Sequence, residues 1–395
     1  MLLSRKIAIV GSGTAGLQLA YALRNDFEVT VIHAYSSEKI KNGRVMSTQV
    51  HFGSTVKREE KFQMPFWKEA DPLQSVHISI RDQKLFVGNL KEPAYSINQR
   101  LYFSRGMEEL EMDNVKFKQV RVQEEHLDQL IEEFNIVIDC SGKAGPLFSF
   151  PIIEELSPFK LPQRKCIVGY FNGIKSNDPL GVGVTILPGL GEMFEIPALT
   201  NKGPITILFI MAIPEKELDC FKGVKTSEQF TDRMKDTAHS YFPSIYERID
   251  KNQFTLADSL SFLQLAISPV IRRPYTHYTN KIVLGCGDSV FLNDPITGQG
   301  CNLSSYCAEK LYETLLQYKH SEWDLKLGED YWDAVRPMVE KVTKWTNAMT
   351  QEMPPHIIQL LLSGKSSQKT ADKIAEWFAE PEKAYNDFFQ QSIQI

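Results

Sequence analysis

Two glycine-rich stretches at opposite ends of the chain carry the residue types that could hold a large polar ligand. Near the start, Gly11-Ser12-Gly13-Thr14-Ala15-Gly16 is a GxGxxG. Near residue 300, Gly285-Cys286-Gly287-Asp288 leads through Asp294-Pro295 to Thr297-Gly298-Gln299-Gly300. Their chemistry is binding: glycines admit a ligand against the backbone, and helix N-termini offer free N–H groups with partial positive charge. The Asp288 carboxylate can accept hydroxyl donors. No Ser-His-Asp pattern, HExxH or CxxC pair appears, and the histidines show no ligand spacing, so no metal site is expected. The six cysteines (140, 166, 220, 286, 301, 307) read as buried apolar residues or free thiols of a reducing compartment.

The elements that must position these stretches are set by periodicity. Lys6–Val10 is a short apolar strand feeding the GxGxxG, followed by a helix over Leu17–Arg24 and a strand over Glu28–Ile32. This is the βαβ dinucleotide fingerprint in its required context. The acidic residue that usually ends the second strand and binds the adenosine ribose is missing. Ile32-His33-Ala34 stands there, with Ser36, Ser37 or Glu38 as substitutes within reach. Arg44, soon after this unit, can ion-pair with the same diphosphate or lie solvated on the surface. Residues 76–89 alternate like a hairpin turning at Arg81–Gln83. Asn98–Leu110 reads as an amphipathic helix opening with Arg100. Ile136–Asp139 is a buried strand ending in the small-residue turn Cys140-Ser141-Gly142-Lys143, which presents more backbone N–H groups. In the late stretch, Leu303, Cys307, Leu311 and Leu315 are spaced four apart and share one helix face.

From Cys166 to about Ser268 the pattern turns to β segments, with strands over 166–171, 181–187, 193–197 and 205–213 and a helix over Ser227–Tyr241. An apolar sheet inserted there would cover the cofactor and build a substrate chamber. The tail from Trp323 is helical and aromatic-rich. This divides the chain into a discontinuous cofactor domain (1–165 with 270–320), a sheet domain (166–269) and a C-terminal helical region (321–395). Residues 45–95 contribute in part to the substrate pocket. At 395 residues and net charge −5, with no basic block, the chain is no dedicated nucleic-acid or anionic-membrane binder. No apolar run approaches the roughly 20 residues of a membrane span. The opening Met1–Lys6 leads at once into a strand, so no signal peptide is expected and the location read is cytoplasmic.

These motifs carry a family resemblance. GSGTAG, Arg44, Arg100, the CSGK turn and GD…DPITGQG together resemble FAD-dependent monooxygenases of the aromatic hydroxylase superfamily. The likeness extends over nearly the whole chain to the styrene/indole monooxygenase group, through NGRVMSTQVH, LKEPAYSINQRLY, PQRKCIVGYFNGIK, PGLGEMFEIP, GCGDSVFLNDPITGQGCNLSSYCAE and KWTN. It implies an α/β fold: a Rossmann-like FAD-binding domain, an inserted mainly antiparallel β-sheet substrate domain, and a C-terminal helical segment. It also implies a two-component enzyme that receives FADH2 from a separate NADH-dependent flavin reductase. With O2 and a C4a-hydroperoxyflavin, such an enzyme epoxidises an aromatic alkene-type C=C. The implied cofactor residues are Gly11, Gly13, Thr14, Ala15, Gly16, Arg44, Arg100, Gly142, Asp288 and Asn302, with Pro295, Gly298, Gln299 and Gly300 around the flavin ring. The implied substrate residues are Ser47, Gln49, His51, His77 and Ala94. Ser47, Gln49 and Ala94 look like the indole-oxidising branch, and His51 and His77 like the styrene branch, which favours indole with styrene-like alkenes as side substrates. A monomer or homodimer would serve. The alternatives are a single-component NAD(P)H-dependent hydroxylase, although Lys165–Gly169 stands where its DG motif belongs, and a flavin-dependent reductase or saturase.

Overall fold

The computed structural model describes residues 5–113 and 115–390; the opening Met1–Ser4 lies outside them. The first sheet has six strands in the order Tyr275–Tyr278, Lys281–Gly285, Ile136–Asp139, Lys6–Val10, Glu28–His33, Lys116–Gln119. All neighbours are parallel except the first pair, a hairpin. Its three central strands read as continuous apolar runs because helices cover both faces. Register lines up the strand ends: Val10 pairs with Asp139, and Asp139 with Gly285. The chain therefore delivers Gly11, Cys140 and Cys286 side by side at the carboxyl edge, where ligands of open α/β sheets bind.

The second sheet is mainly antiparallel. Along its main path lie Thr255–Leu256, Lys165–Asn172, Gly203–Ala212, Gly191–Thr200, Gly181–Leu187, Leu73–Ile80 and Gln83–Ala94, with Phe262–Ala266 also on Lys165–Asn172. It thus draws two strands from before residue 95, joined through one parallel pairing between Leu73–Ile80 and Gly181–Leu187. Alternation sorts the residues of Gly203–Ala212 to two faces. Leu208 and Ile210 pack with Phe230 and Met234 of the helix Ser227–Tyr241. Ile207 and Phe209 face the other way, in a core shared with Ile296, Trp345 and Trp377.

The helix Gly300–Gln317 buries Leu303, Cys307, Leu311 and Leu315 against the first sheet. The C-terminal helices Leu325–Met349, Pro355–Ser363, Gln368–Ala379 and Pro381–Phe389 wrap the outside. They bring Trp345, Ile374 and Trp377 onto the second sheet. No helix among the described residues is long and apolar enough to cross a membrane.

Candidate active site

Two helix N-termini open onto one chamber of about 380 Å³. The helix Thr14–Leu23 starts at Gly13, and Gly300–Gln317 starts at Gln299; neither first turn has a side-chain cap. Their N–H groups therefore await a partner, and both dipoles favour negative charge. Gly13, Thr14 and Ala15 line the chamber on one side, and Gly298, Gly300 and Cys301 on the other. At Gly13, Gly142 and Gly298 a Cβ would meet no atom within 4 Å, so ligand can lie against bare backbone. Gly11 and Gly16 serve packing instead. A Cβ on Gly11 (φ +119°) would come within 2.1 Å of the Cys140 carbonyl, and one on Gly16 within 2.0 Å of the Gly11 carbonyl. These closures hold loop, helix and neighbouring strand together.

Asp139 fixes the third piece of this half. Its Oδ1 accepts from the Ser141 amide (2.9 Å) and hydroxyl (2.6 Å), and its Oδ2 from the Leu147 amide (2.6 Å). The carboxyl is fully buried, and burial raises its pKa against these donors. The turn carrying Gly142 and Lys143 is thereby clamped beside the GxGxxG loop. The Lys143 ammonium crosses to the Met46 carbonyl, 2.7 Å away. Asp288 lines the chamber beside it, on the turn Gly287–Ser289 that packs on Gly142–Ala144; burial raises its carboxyl, and Lys143 opposes the rise. These uncapped termini and open glycines fit the diphosphate and ring edge of FAD, and the Asp288 carboxylate is a lining group able to accept hydroxyl donors.

Several residues expected in the site are spent elsewhere. Arg100 is buried and forks onto Asp258 (2.9 and 3.2 Å), with further bonds to the Ser261 hydroxyl and the Gly43 carbonyl. Arg44 is exposed, lies over the Phe262 ring and donates to the Phe262 carbonyl at 3.2 Å. Both arginines tie the 258–262 segment to the 43–45 segment, and neither lines the chamber. The Asn302 amide is fully used: it donates to the Val50 and Gly298 carbonyls and accepts from the Phe52 amide and the Thr55 hydroxyl. Gln299 turns away, onto the Phe378 carbonyl (2.9 Å). Asn302 and Gln299 position the loop that would meet the ring and touch nothing in the cavity. Ser36, one substitute for the missing ribose acid, caps the helix Ser37–Lys41.

The other half of the chamber is a side-chain wall. Val76, Val168, Val182, Phe194, Phe209 and Leu263 present the inner face of the second sheet. Ser47 and Gln49 line the chamber as expected from their segment, and the Ser47 hydroxyl makes no hydrogen bond among the described residues. The other three substrate candidates do not reach it. His77 follows Val76 on its strand and so projects from the opposite face, bonded to the Pro179 carbonyl at 2.8 Å. Ala94 ends the outermost strand, beyond Leu73. His51 is fully buried on Glu59, whose same oxygen accepts the Tyr102 hydroxyl at 2.7 Å. Sequence reasoning missed Phe378, which the C-terminal helices bring to the wall, and Asn293; Asp294, part of the Asp294-Pro295 loop singled out above, lines the chamber too. Burial pushes Asp294 up to about 6. Its Oδ1 caps the Ile296 amide (3.0 Å), while Oδ2 is buried without a partner.

Fold and chamber together have the architecture found in solved FAD-dependent and aromatic monooxygenases. The chain shares its fold with PqsL, a probable FAD-dependent monooxygenase from Pseudomonas aeruginosa, at TM-score 0.64 and 14% identity, covering 92% of this chain and 99% of that one. Residues 142–248 match the family model described as "Styrene monooxygenase A putative substrate binding domain". Styrene monooxygenase StyA from a Pseudomonas species and StyA from Pseudomonas fluorescens are each 32% identical over 398 residues, covering 98% of this chain and 95% of the relative. The chain belongs to the styrene monooxygenase family, and its cofactor is FAD.

Proposed function

We propose that this protein is the oxygenating component of a two-component system. A separate NADH-dependent flavin reductase supplies FADH2, and one atom of O2 is added across an aromatic-conjugated C=C, with water and FAD as the other products. Indole is the preferred substrate, and styrene-like alkenes are secondary. The observation that carries this reading is the single chamber with two unlike halves, one of bare backbone for the cofactor and one of apolar side chains for a flat ring. When bound, reduced FAD supplies the electrons that activate O2. The protein's own residues do the rest. The uncapped starts at Gly13 and Gln299 stabilise negative charge, Asp288 orients the ribityl chain, and Val182, Phe194 and Phe209 exclude water and hold the arene. The free Ser47 hydroxyl offers an indole N–H an acceptor that styrene does not need. The one GxGxxG of the chain agrees with electrons arriving on flavin rather than on a resident nicotinamide.

The test is direct. Purified protein with NADH and indole should form no pigment, and adding FAD with a flavin reductase should yield indigo. Turnover sustained by NADPH alone would replace the reading with a single-component hydroxylase. Anaerobic reduction of the double bond, with no label taken from labelled O2, would make the protein a reductase.

A further inference from the structure

The chamber is poor in positive charge. Among the side chains that line it, Lys143 is the one cation, while Asp288 and Asp294 both stand in the wall. Arg100 is committed to the Asp258 carboxylate, and Arg44 lies on the Phe262 ring and carbonyl, outside the lining of the chamber. FAD nevertheless brings a doubly charged diphosphate, and burying unpaired charge is unfavourable. Two helix dipoles answer part of it with partial charges only.

Lys143 is built to answer the rest. Its turn packs directly on the GxGxxG loop: the Cys140 amide donates to the Val10 carbonyl at 2.8 Å, and the Cys140 carbonyl closes on Gly11. Asp139 pins that turn through the Ser141 and Leu147 amides, which flank Lys143 on either side. The ammonium sits on the carbonyl of Met46, an exposed residue. A neutral carbonyl is a weaker partner than an anion. Desolvation on its inner side presses the ammonium's pKa downward, with Asp288 resisting, although the side chain still reaches solvent.

We propose that Lys143 is the anion-binding cation of the chamber, leaving the Met46 carbonyl for the FAD diphosphate as cofactor enters and returning to it when cofactor leaves. The assignment rests on FAD as cofactor and is independent of which arene is oxidised. The diphosphate is favoured over the reduced ring because the turn carrying Lys143 closes through Cys140 on Gly11 and Gly16 of the GxGxxG loop, whereas the ring edge belongs to the 298–300 start.

The experiment is equilibrium dialysis of FAD and of riboflavin, which has the ring without the diphosphate, against wild type, K143M, K143Q and K143R. A charge-assisted hydrogen bond predicts that K143M and K143Q weaken FAD binding about 10- to 100-fold. Riboflavin binding should stay unchanged, and K143R should recover most of the loss. K143Q keeps a donor for the Met46 carbonyl, so its failure isolates the charge from the latch. The salt dependence of FAD binding should also become shallower in K143M. Unchanged FAD affinity in K143M, or equal losses for FAD and riboflavin, would overturn the proposal. A loss confined to reduced FAD under anaerobic conditions would overturn the diphosphate assignment.

Discussion

The two halves of the chamber are made of different material. The cofactor half is backbone: two helix starts, three open glycines and strand ends held in register by the Val10–Asp139–Gly285 pairing. The substrate half is side chains, gathered from strands separated by up to two hundred residues of sequence, such as Val76 and Leu263. Backbone sites tolerate few substitutions, because a methyl in the wrong place meets a carbonyl. Side-chain walls can be recast one residue at a time. The chemistry is therefore anchored in the first half, and the choice of substrate is adjustable in the second.

The sharpest way to break this contrast is within the GxGxxG itself. Gly16→Ala forces a methyl to within 2.0 Å of the Gly11 carbonyl, so the loop must move. Overpacking of this kind costs about 1–3 kcal/mol or more. Both the melting temperature and FAD affinity should fall, the latter by roughly 100-fold once the helix start is displaced. Gly13→Ala is the control, since its Cβ meets nothing in the protein. That variant should melt like wild type and lose FAD binding alone. Equal melting losses in both would show that the two glycines do not divide packing from ligand contact.

A smaller effect, with the opposite selectivity, is expected across the chamber. Val182→Phe adds an aromatic ring to the apolar wall. Indole oxidation should fall about 10-fold, the scale at which a pocket discriminates by a few carbons. FAD binding should stay within about twofold. Steady-state rates beside a flavin titration would decide it, and a parallel fall in FAD affinity would mean the halves are not separable.

The same contrast explains what the sequence disclosed. Gly13, Asp288, Pro295, Gly298 and Gly300 were legible because motifs with fixed local spacing encode backbone geometry, and these five do line one chamber. Elements with clear periodicity were legible too, including the helix Ser227–Tyr241 to the residue. Side-chain destinations were legible only in part: Ser47 and Gln49 reach the chamber, while His51, His77 and Ala94 do not. Arg100 looked like a cofactor residue because its partner, Asp258, lies 158 positions away and carries no local signal. Alternation shows that Val76 and His77 point to opposite faces, but only the assembled sheet shows which face meets the cavity. Phe378 is invisible from sequence, since an amphipathic tail helix declares a buried stripe and not what it abuts. Lys143 had a signal, its place in the CSGK turn. The significance of that place appears only once the arginines are seen to be occupied.

The mildest prediction concerns the seam between the halves, at Asp294. Burial raises its carboxyl to about 6, with the Glu192 carboxylate adding to the rise while Arg164 and the Ile296 amide oppose it. In the unfolded chain the same group ionises near pH 4. Between those values the folded protein holds a proton that the unfolded chain has released, so stability falls as pH rises through that window. The favourable contribution is complete below about pH 4 and lost above about pH 6. Asp294→Asn keeps an oxygen for the Ile296 amide and has no proton to lose. Relative to wild type, its unfolding free energy should gain on the order of 2 kcal/mol between pH 4 and pH 7.5. Chemical denaturation of both proteins across that range is the measurement. Parallel curves would show that Asp294 reaches solvent or a partner and is not sealed into the seam. A divergence would show that the cofactor loop carries a buried acid at the boundary of the apolar wall, retained at a cost in stability near neutral pH.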